Sequence, residues 1–143
     1  MPEVSFYLLN SSSPGERLHF ACRLIEKAYR NGQYCYVLTE SEPQAGQIDK
    51  LLWSFRAGSF VPHQLYRGDL PDYPHTVLIG NEPIPEAWRP VIVNLSQAVP
   101  PLAEPTQRIL EILDADESVK RAGRQRYRLY REAGCRLDTH RID

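Results

Sequence analysis

Six cationic side chains crowd into twelve consecutive positions between Ser118 and Gly134, and these positions contain no carboxylate. Five of the six are arginines, whose planar guanidinium groups suit bidentate contacts with carboxylate or phosphate groups. The stretch supplies no acidic partner within those twelve positions to neutralise them. The chemistry that this pattern predicts is the binding of an acidic group. The six are Lys120, Arg121, Arg124, Arg126, Arg128 and Arg131.

A helix of about four to five turns is the predicted conformation of this stretch. Asp116 or Ser118 can cap its start, and Gly134 is a residue type at which helices end. At roughly 100° per residue, one apolar stripe should face a core; its members are Val119, Ala122, Leu129, Tyr130 and Ala133. A second set lies on the flank of that stripe and is called the basic strip here; it consists of Lys120, Arg124, Tyr127 and Arg131. One tyrosine among three cations predicts a receptor for an acidic partner with an apolar part.

The basic strip has a simpler interpretation as well, since an arginine-rich helix face is often only a solvated surface. That alternative stays open on the residues alone. Arg126 is a separate case, because the helical spacing puts it inside the apolar stripe. We therefore predict a buried or half-buried structural charge at Arg126 that needs a carboxylate partner.

The chain as a whole reads as one domain over residues 1–143, long enough to bury a core without disulfides or metal. Of its residues, 42% are hydrophobic and 24% are charged, and the formal net charge is −1. The charge is uneven: residues 1–105 carry 8 Lys and Arg against 11 Asp and Glu, while 118–136 carry 7 against 1. The positive field is therefore local, which argues against a general coating of nucleic acid.

The cysteines and the first residues indicate a cytoplasmic location. Cys22, Cys35 and Cys135 are odd in number and far apart, so they suggest neither a disulfide framework nor a zinc site. The apolar run at the start is followed at once by polar S-S-S-P-G, and it is too short for a signal segment or a membrane span.

Alternating strand and helix patterns predict an α/β fold, Rossmann-like, with a mostly parallel sheet flanked by helices. Short apolar runs predict strands at Val4–Leu9, Tyr34–Thr39, Thr76–Ile79, Val91–Leu95 and Arg108–Leu113. A capping box at Ser13-Pro14-Gly15-Glu16 predicts the start of a first helix that ends at Asn31-Gly32. Glu40 to Pro43 predicts the start of a second helix that includes Phe55.

Nucleotide binding and catalysis are not predicted, and no cofactor or metal is expected. The first strand-to-helix turn lacks both phosphate-binding glycine patterns, and Glu16 adds negative charge where a phosphate would lie. The four histidines are scattered without metal-ligand or acid–base spacing; they are His19, His63, His75 and His140. A catalytic site assembled from residues far apart in the sequence stays an alternative.

A second notable stretch is G-S-F-V-P-H at Gly58–His63, which follows the apolar L-L-W-S-F. Gly58 and Pro62 favour a loop or an edge position for Phe60 and Val61. Such a Phe-Val-Pro either fills the core of its own domain or offers an apolar anchor to a partner. The residues alone leave both interpretations open.

These two stretches resemble the chi subunit family of the bacterial DNA polymerase III holoenzyme, part of the clamp-loader assembly. The matching motifs are F-Y-L-L, A-C-R-L-I-E-K-A-Y-R-N-G-Q, I-D-K-L-L-W, G-S-F-V-P-H and R-x-R-Y-R-x-Y-R-x-A-G. The match fades between Tyr66 and Thr106, so nothing is carried over there.

The resemblance implies a Rossmann-like adaptor domain without nucleotide binding or catalysis. In the family, chi binds the acidic C-terminal tail of single-stranded DNA-binding protein and pairs with the psi subunit, which ties it to the clamp loader. The tail-binding positions match Lys120, Arg124 and Tyr127, and we add Arg131 from the basic strip and Leu113, the last apolar residue before the helix. The psi-facing positions resemble Phe60 and its neighbours Val61, Pro62 and His63.

Two rival functions are weighed against the adaptor. A direct single-stranded nucleic-acid-binding module is the first, since arginine and tyrosine also suit phosphates and base stacking. The single basic strip within an acidic surrounding argues against it, because a groove that follows a strand needs more basic length and several stacking aromatics. A small enzyme is the second rival.

Overall fold

Seven parallel strands and three α-helices make up the computed structural model of the chain, which describes residues 1–142. The strands are β1 Glu3–Leu9, β2 Tyr36–Leu38, β3 His63–Leu65, β4 Val77–Gly80, β5 Val91–Asn94, β6 Arg108–Leu113 and β7 Arg136–Ile142. The helices are α1 Pro14–Arg30, α2 Glu42–Ser54 and α3 Glu117–Glu132, with a single 3-10 turn at Glu86–Trp88. The strands form one open sheet in the order β3-β4-β2-β5-β6-β1-β7. The predicted α/β class is confirmed.

The helices cover the two faces of this sheet unequally. The path from β1 through β2 to β3 moves towards one edge, and the step from β6 to β7 moves towards the other. Right-handed crossovers therefore place α1 and α2 on one face and α3 on the opposite face. Alternation along β6 agrees with this, because Leu110 and Ile112 join the core under α1 and α2 while Ile109 and Leu113 join the core under α3.

The helix boundaries follow the capping residues of the sequence. Ser13 caps α1 and accepts a hydrogen bond from the Glu16 amide, as the capping box predicts. Of the two candidate caps for α3, the structure uses Asp116, whose carboxylate accepts from the Ser118 and Val119 amides. Gly134 follows α3 with φ +89°, a conformation that glycine adopts without a steric penalty.

Two edge strands, β3 and β7, were not predicted. Strand β7 reads R-L-D-T-H-R-I, and most of its side chains are exposed, so it lacks the apolar run that marks a buried strand. Strand β3 has only three residues and directly follows Pro62. Strand β2 is shorter than predicted, at three residues. Each edge strand is held by one neighbour, β7 by β1 and β3 by β4.

The three cysteines are buried free thiols. Burial raises the pKa of Cys22 and of Cys35 to about 12, so both stay protonated at neutral pH. None of the helices in residues 1–142 has the length and apolar character to cross a membrane.

A buried charge network fixes α3 on the sheet, and Arg126 is its cation, as predicted. Glu111 on β6 has no exposed surface, and Arg126 is 3% exposed. The Arg126 Nε and Nη2 atoms donate to the two Glu111 carboxylate oxygens at 2.9 and 2.8 Å. The Tyr130 hydroxyl donates to Glu111 at 2.5 Å, and Asn94 Nδ2 donates to it at 2.8 Å. Both oxygens of this carboxylate therefore accept hydrogen bonds, Oε2 from three donors and Oε1 from one.

The pKa shifts in the network follow from burial and from the Glu111 charge. Burial lowers the pKa of Arg126, but the hydrogen bond and charge of Glu111 outweigh it, so the pKa is raised. Burial, reinforced by the same carboxylate, also raises the pKa of Tyr130. Both side chains therefore keep their protons over the physiological range and continue to donate to Glu111.

Replacing Arg126 by methionine should lower the free energy of unfolding by about 3 to 5 kcal/mol, because Glu111 would be left buried without its cation. Urea unfolding followed by circular dichroism measures the change. Arg121→Met, on the exposed side of the same helix, is the matched control and should stay within about 0.5 kcal/mol. The double variant with Glu111→Gln should be more stable than Arg126→Met alone; equal stability would show that the charge is not the cause.

Candidate tail-binding groove and apolar anchor

The rotation of α3 about its axis differs from the predicted one. Its buried residues are Gly123, Arg126 and Tyr130, and Val119 and Ala122 are half-buried as expected. Leu129 is 50% exposed and Ala133 is also exposed, so their assignment to the buried stripe was wrong. The buried face instead centres on Arg126 and Tyr130, which both bond to Glu111, and it extends to Gly123.

An apolar cavity of about 170 Å³ opens between α3 and the strands β1 and β7. Its lining brings together three predicted site residues, Leu113, Arg124 and Tyr127, with four others: Phe6, Leu8, Gly123 and Thr139. The Tyr127 ring packs against Phe6 with 5.3 Å between ring centroids. Pockets for drug-sized ligands measure about 300 to 1,000 Å³, so this cavity suits a single apolar side chain.

A basic cavity of about 280 Å³ adjoins the apolar cavity and shares Arg124 and Tyr127 with it. Its other two lining residues are Arg128 and Arg131. Among residues 1–142, these three arginines form no salt bridge. An acidic group bound here would therefore meet cations that are not already neutralised.

Lys120 lies one turn before Arg124 and differs from the arginines in having an acidic neighbour. Its Nζ atom is 3.6 Å from Glu117 Oε1, and both side chains are well exposed. The expectation that the basic strip lacks acidic partners was therefore wrong for Lys120. A surface pair of this kind contributes at most about 1 kcal/mol, so a ligand carboxylate can compete for the lysine.

Arg128 and Thr139 belong to this region, and sequence reasoning did not place them there. Arg128 directly follows Tyr127 in the sequence. The basic strip was defined by residues three or four positions apart on one side of the helix, and Arg128 does not share that spacing. Thr139 comes from β7, which pairs with β1 so that Thr139 lies beside Phe6. No local signal connects Thr139 with α3, because their proximity depends on strand pairing.

The contact between Gly123 and Leu113 sets the depth of the apolar cavity. A Cβ atom built on Gly123 would lie 2.4 Å from Leu113 Cδ1, much closer than such atoms approach. The absence of a side chain at position 123 therefore allows α3 to lie directly on the end of β6. This glycine is not needed for its backbone angles, since it lies inside the helix.

Phe60, the candidate apolar anchor, lies elsewhere, on the loop between α2 and β3. We call this loop the anchor loop. Phe60 is 67% exposed, and Trp53, at the end of α2, is 63% exposed. Their ring centroids lie 6.2 Å apart, so the two form one aromatic surface patch. Large exposed aromatic pairs are typical of protein interaction sites. Trp53 was not among the predicted interface residues, although the same apolar stretch contains it.

The neighbours of Phe60 in the predicted interface point inwards. Val61 is 2% exposed and belongs to the core, and the His63 side chain is fully buried. His63 Nδ1 lies 2.6 Å from the Val61 carbonyl oxygen, and Nε2 lies 2.9 Å from that of Asp49. These contacts position the loop, while Phe60 is left to face solvent. Pro62 is half-buried.

A second set of contacts holds the anchor loop on α1. The Arg56 guanidinium donates to both carboxylate oxygens of Glu26, at 3.2 and 2.6 Å, and the Ser59 hydroxyl also donates to Glu26. The hydrogen bond from Arg56 contributes most to lowering the pKa of Glu26. The aromatic patch therefore stands on a loop tied to both helices of its face, which limits the entropy lost on binding.

The turn between β1 and α1, where a nucleotide phosphate would lie in a doubly wound fold, is bonded to a neighbouring loop. The Ala115 amide after β6 donates to the Ser11 carbonyl after β1 at 2.8 Å. The Ser13 amide donates to the Ser11 hydroxyl at 3.1 Å. Two backbone donors near this turn, the Ser13 and Ala115 amides, are thus engaged within the chain.

Comparison with known proteins finds similarity to one family over nearly the whole chain. Residues 1–138 match the family model described as DNA polymerase III chi subunit, HolC. The chain is 37% identical over 142 residues to DNA polymerase III subunit chi of Pseudomonas aeruginosa, covering 99% of this chain and 98% of the relative. It is 30% identical to the subunit chi of Haemophilus influenzae, with 97% and 96% covered, and 28% identical to that of Escherichia coli, with 97% of each covered.

Gly123→Ala should force Leu113 into another rotamer and reshape the apolar cavity. Overpacking costs about 1 to 3 kcal/mol, and the better helix propensity of alanine returns up to about 1 kcal/mol, so we expect a net loss of stability. Thermal and urea unfolding measure it. Gly46→Ala in α2 is the matched control, since its Cβ would meet nothing within 4 Å, and it should raise stability. Equal effects at the two sites would contradict the close contact.

Proposed function

Because the chain belongs to the DNA polymerase III chi subunit family, which gives it an accessory role in replication, we propose that it is a non-catalytic cytoplasmic adaptor. It links the clamp-loader assembly, through psi, to single-stranded DNA-binding protein. The acidic C-terminal tail of that protein binds along α3, and psi binds the aromatic patch of Trp53 and Phe60.

The observation that carries this proposal is the apolar cavity beside unneutralised arginines. A tail that ends in an apolar residue can bury that side chain against Leu113 and Tyr127. Its terminal carboxylate then lies within reach of Arg124, which lines both the apolar and the basic cavity. Acidic residues of the tail pair with the remaining cations of the strip, Lys120 and Arg131. A polyanion without an apolar end would leave the cavity empty.

Two contributions of different salt dependence hold such a tail. Charge-assisted contacts at exposed arginines are weakened by salt, because the Debye length is about 8 Å at physiological ionic strength. Burial of the terminal side chain contributes roughly 25 cal/mol per Å² and is not screened. Affinity should therefore fall with added salt and level off, whereas direct binding of a phosphate backbone falls steeply and continuously.

The positions of the two surfaces favour an adaptor. Strands β3 and β7 form opposite edges of the sheet, which lie about 29 Å apart at roughly 4.8 Å per strand spacing. The anchor loop precedes β3, and α3 packs beside β7 on the other face. Both partners can therefore bind at once, and each weak contact is strengthened by effective concentration when both belong to one assembly.

Arg124→Ala should weaken binding of the synthetic acidic tail peptide by about tenfold, since one charge-assisted contact is worth roughly 1.5 kcal/mol. Fluorescence anisotropy with a labelled peptide measures the change. Arg121→Ala is the matched control: it removes an arginine from the same helix outside both cavities and should change affinity less than twofold. Binding of psi should be unaffected by either variant.

Bare single-stranded DNA serves as a competitor in the same titration. We expect the DNA to displace the peptide poorly, because a nucleic acid has no apolar end that could fill the apolar cavity. If DNA competed as well as unlabelled peptide, or if Arg124→Ala and Arg121→Ala had equal effects, the basic strip would be only a non-specific basic surface.

Phe60→Ala should weaken psi binding by about 2 kcal/mol or more, as the loss of an exposed hot-spot side chain does. Calorimetry with purified psi measures it, and the melting temperature should change little, because Phe60 is 67% exposed. Leu70→Ala is the control, since Leu70 is similarly exposed at 61% but lies outside the patch. A large drop in melting temperature without loss of psi affinity would show that Phe60 stabilises the fold instead.

A further inference from the structure

A third cavity, of about 330 Å³, lies at the carboxyl ends of β1, β6 and β7. We call it the edge cavity. It shares Leu8 and Leu113 with the apolar cavity, so the two cavities adjoin each other between α3 and β1. The helix that follows β1 and the helix that follows β6 pack on opposite faces of the sheet. In open α/β sheets, ligands bind at the carboxyl ends of adjacent strands whose helices diverge in this way.

Two cations line the edge cavity. Lys120 reaches it from α3, and Arg141 reaches it from β7. Side chains alternate along β7, so Leu137, Thr139 and Arg141 point to the face covered by α3, as the apolar core and the apolar cavity show for the first two. Arg141 therefore extends the basic surface onto a second element of the fold.

The edge cavity also contains one carboxylate, that of Asp114. Asp114 is 3% exposed, and its Oδ1 atom accepts from the Asp116 amide at 3.0 Å. Burial lowers the pKa of the Arg17 guanidinium, and the charge of Asp114 opposes that shift. Asp114 is therefore partly balanced by Arg17. Of the two cations that line the cavity, Arg141 forms no salt bridge among residues 1–142, and Lys120 pairs only with the exposed Glu117.

We propose that the edge cavity is a second subsite for the acidic tail, in which Arg141 and Lys120 hold one carboxylate upstream of the tail's last residue. This inference rests on the proposed function. Arg141 pairs with Leu8, which lines both cavities, so it lies two positions along the sheet from Phe6 in the apolar cavity, which is about 7 Å at roughly 3.3 Å per residue. An extended peptide covers that distance with about two residues. The terminal side chain occupies the apolar cavity, its carboxylate faces Arg124, and the preceding residues continue to Arg141.

The test uses fluorescence anisotropy with a synthetic peptide that carries three aspartates and ends in a free apolar residue. Arg141→Ala should weaken it about threefold to fivefold, the effect of one exposed charge pair. Arg136→Ala is the matched control, because Arg136 lies on the same strand but on its other face, near Glu3 at 3.4 Å; it should change affinity less than about 1.5-fold. Unchanged melting temperatures verify that both variants fold.

Peptides with a single aspartate changed to asparagine locate the contact. One of these substitutions, at an aspartate upstream of the last residue, should weaken binding to the unmodified protein. With that peptide, Arg141→Ala should cause almost no further loss of affinity. An Arg141→Ala effect that is the same for every peptide would reflect only the general field and would overturn the subsite.

The remaining outcomes separate this inference from the proposed function. If Arg124→Ala weakens the peptide while Arg141→Ala behaves like Arg136→Ala, the edge cavity is not a subsite and the tail-binding function stands. If the unmodified protein does not bind the peptide at all, the proposed function itself fails.

Discussion

Glu111 is a carboxylate in the middle of the sheet, and its charge has to be balanced where water cannot reach it. Arg126 balances it from α3 and Tyr130 donates a hydrogen bond to it from the same helix, so these bonds favour one rotation of the helix on the sheet. That rotation exposes Leu129, a side chain that would otherwise favour burial. It also places Arg124 and Tyr127 over the gap between α3 and β7. A buried ion pair adds little net stability compared with apolar residues; here its effect is to orient α3, which carries the proposed tail-binding residues.

Much of this arrangement could be predicted from local patterns. The capping box at Ser13, the spacing of cations on α3 and the need of Arg126 for a carboxylate are all properties of neighbouring residues. The rotation of α3 could not be predicted, because helical spacing gives the angles between side chains and not the direction of any one of them. Thr139 and Arg141 were missed for a different reason. They become neighbours of α3 only when β7 pairs with β1, and the polar sequence of β7 carries no apolar signal of that pairing.

The two surfaces of the protein are built in different ways. The apolar cavity beside α3 depends on packing between the helix and the strands, and the close contact of Gly123 with Leu113 defines its depth. The aromatic patch depends on a loop held by polar contacts, from Glu26 on one side and His63 on the other. Both constructions hold in place the backbone that carries these side chains. A backbone that is already held loses less entropy on binding, which raises affinity without any increase in contact area.

The pairing of β1 also has a consequence for how the chain folds as it is synthesised. Its two neighbours in the sheet are β6 and β7, which begin at Arg108 and Arg136. The first strand therefore has no partner until more than a hundred further residues have been made. Contacts so distant in sequence slow folding, and an apolar strand that waits unpaired is open to association with other nascent chains.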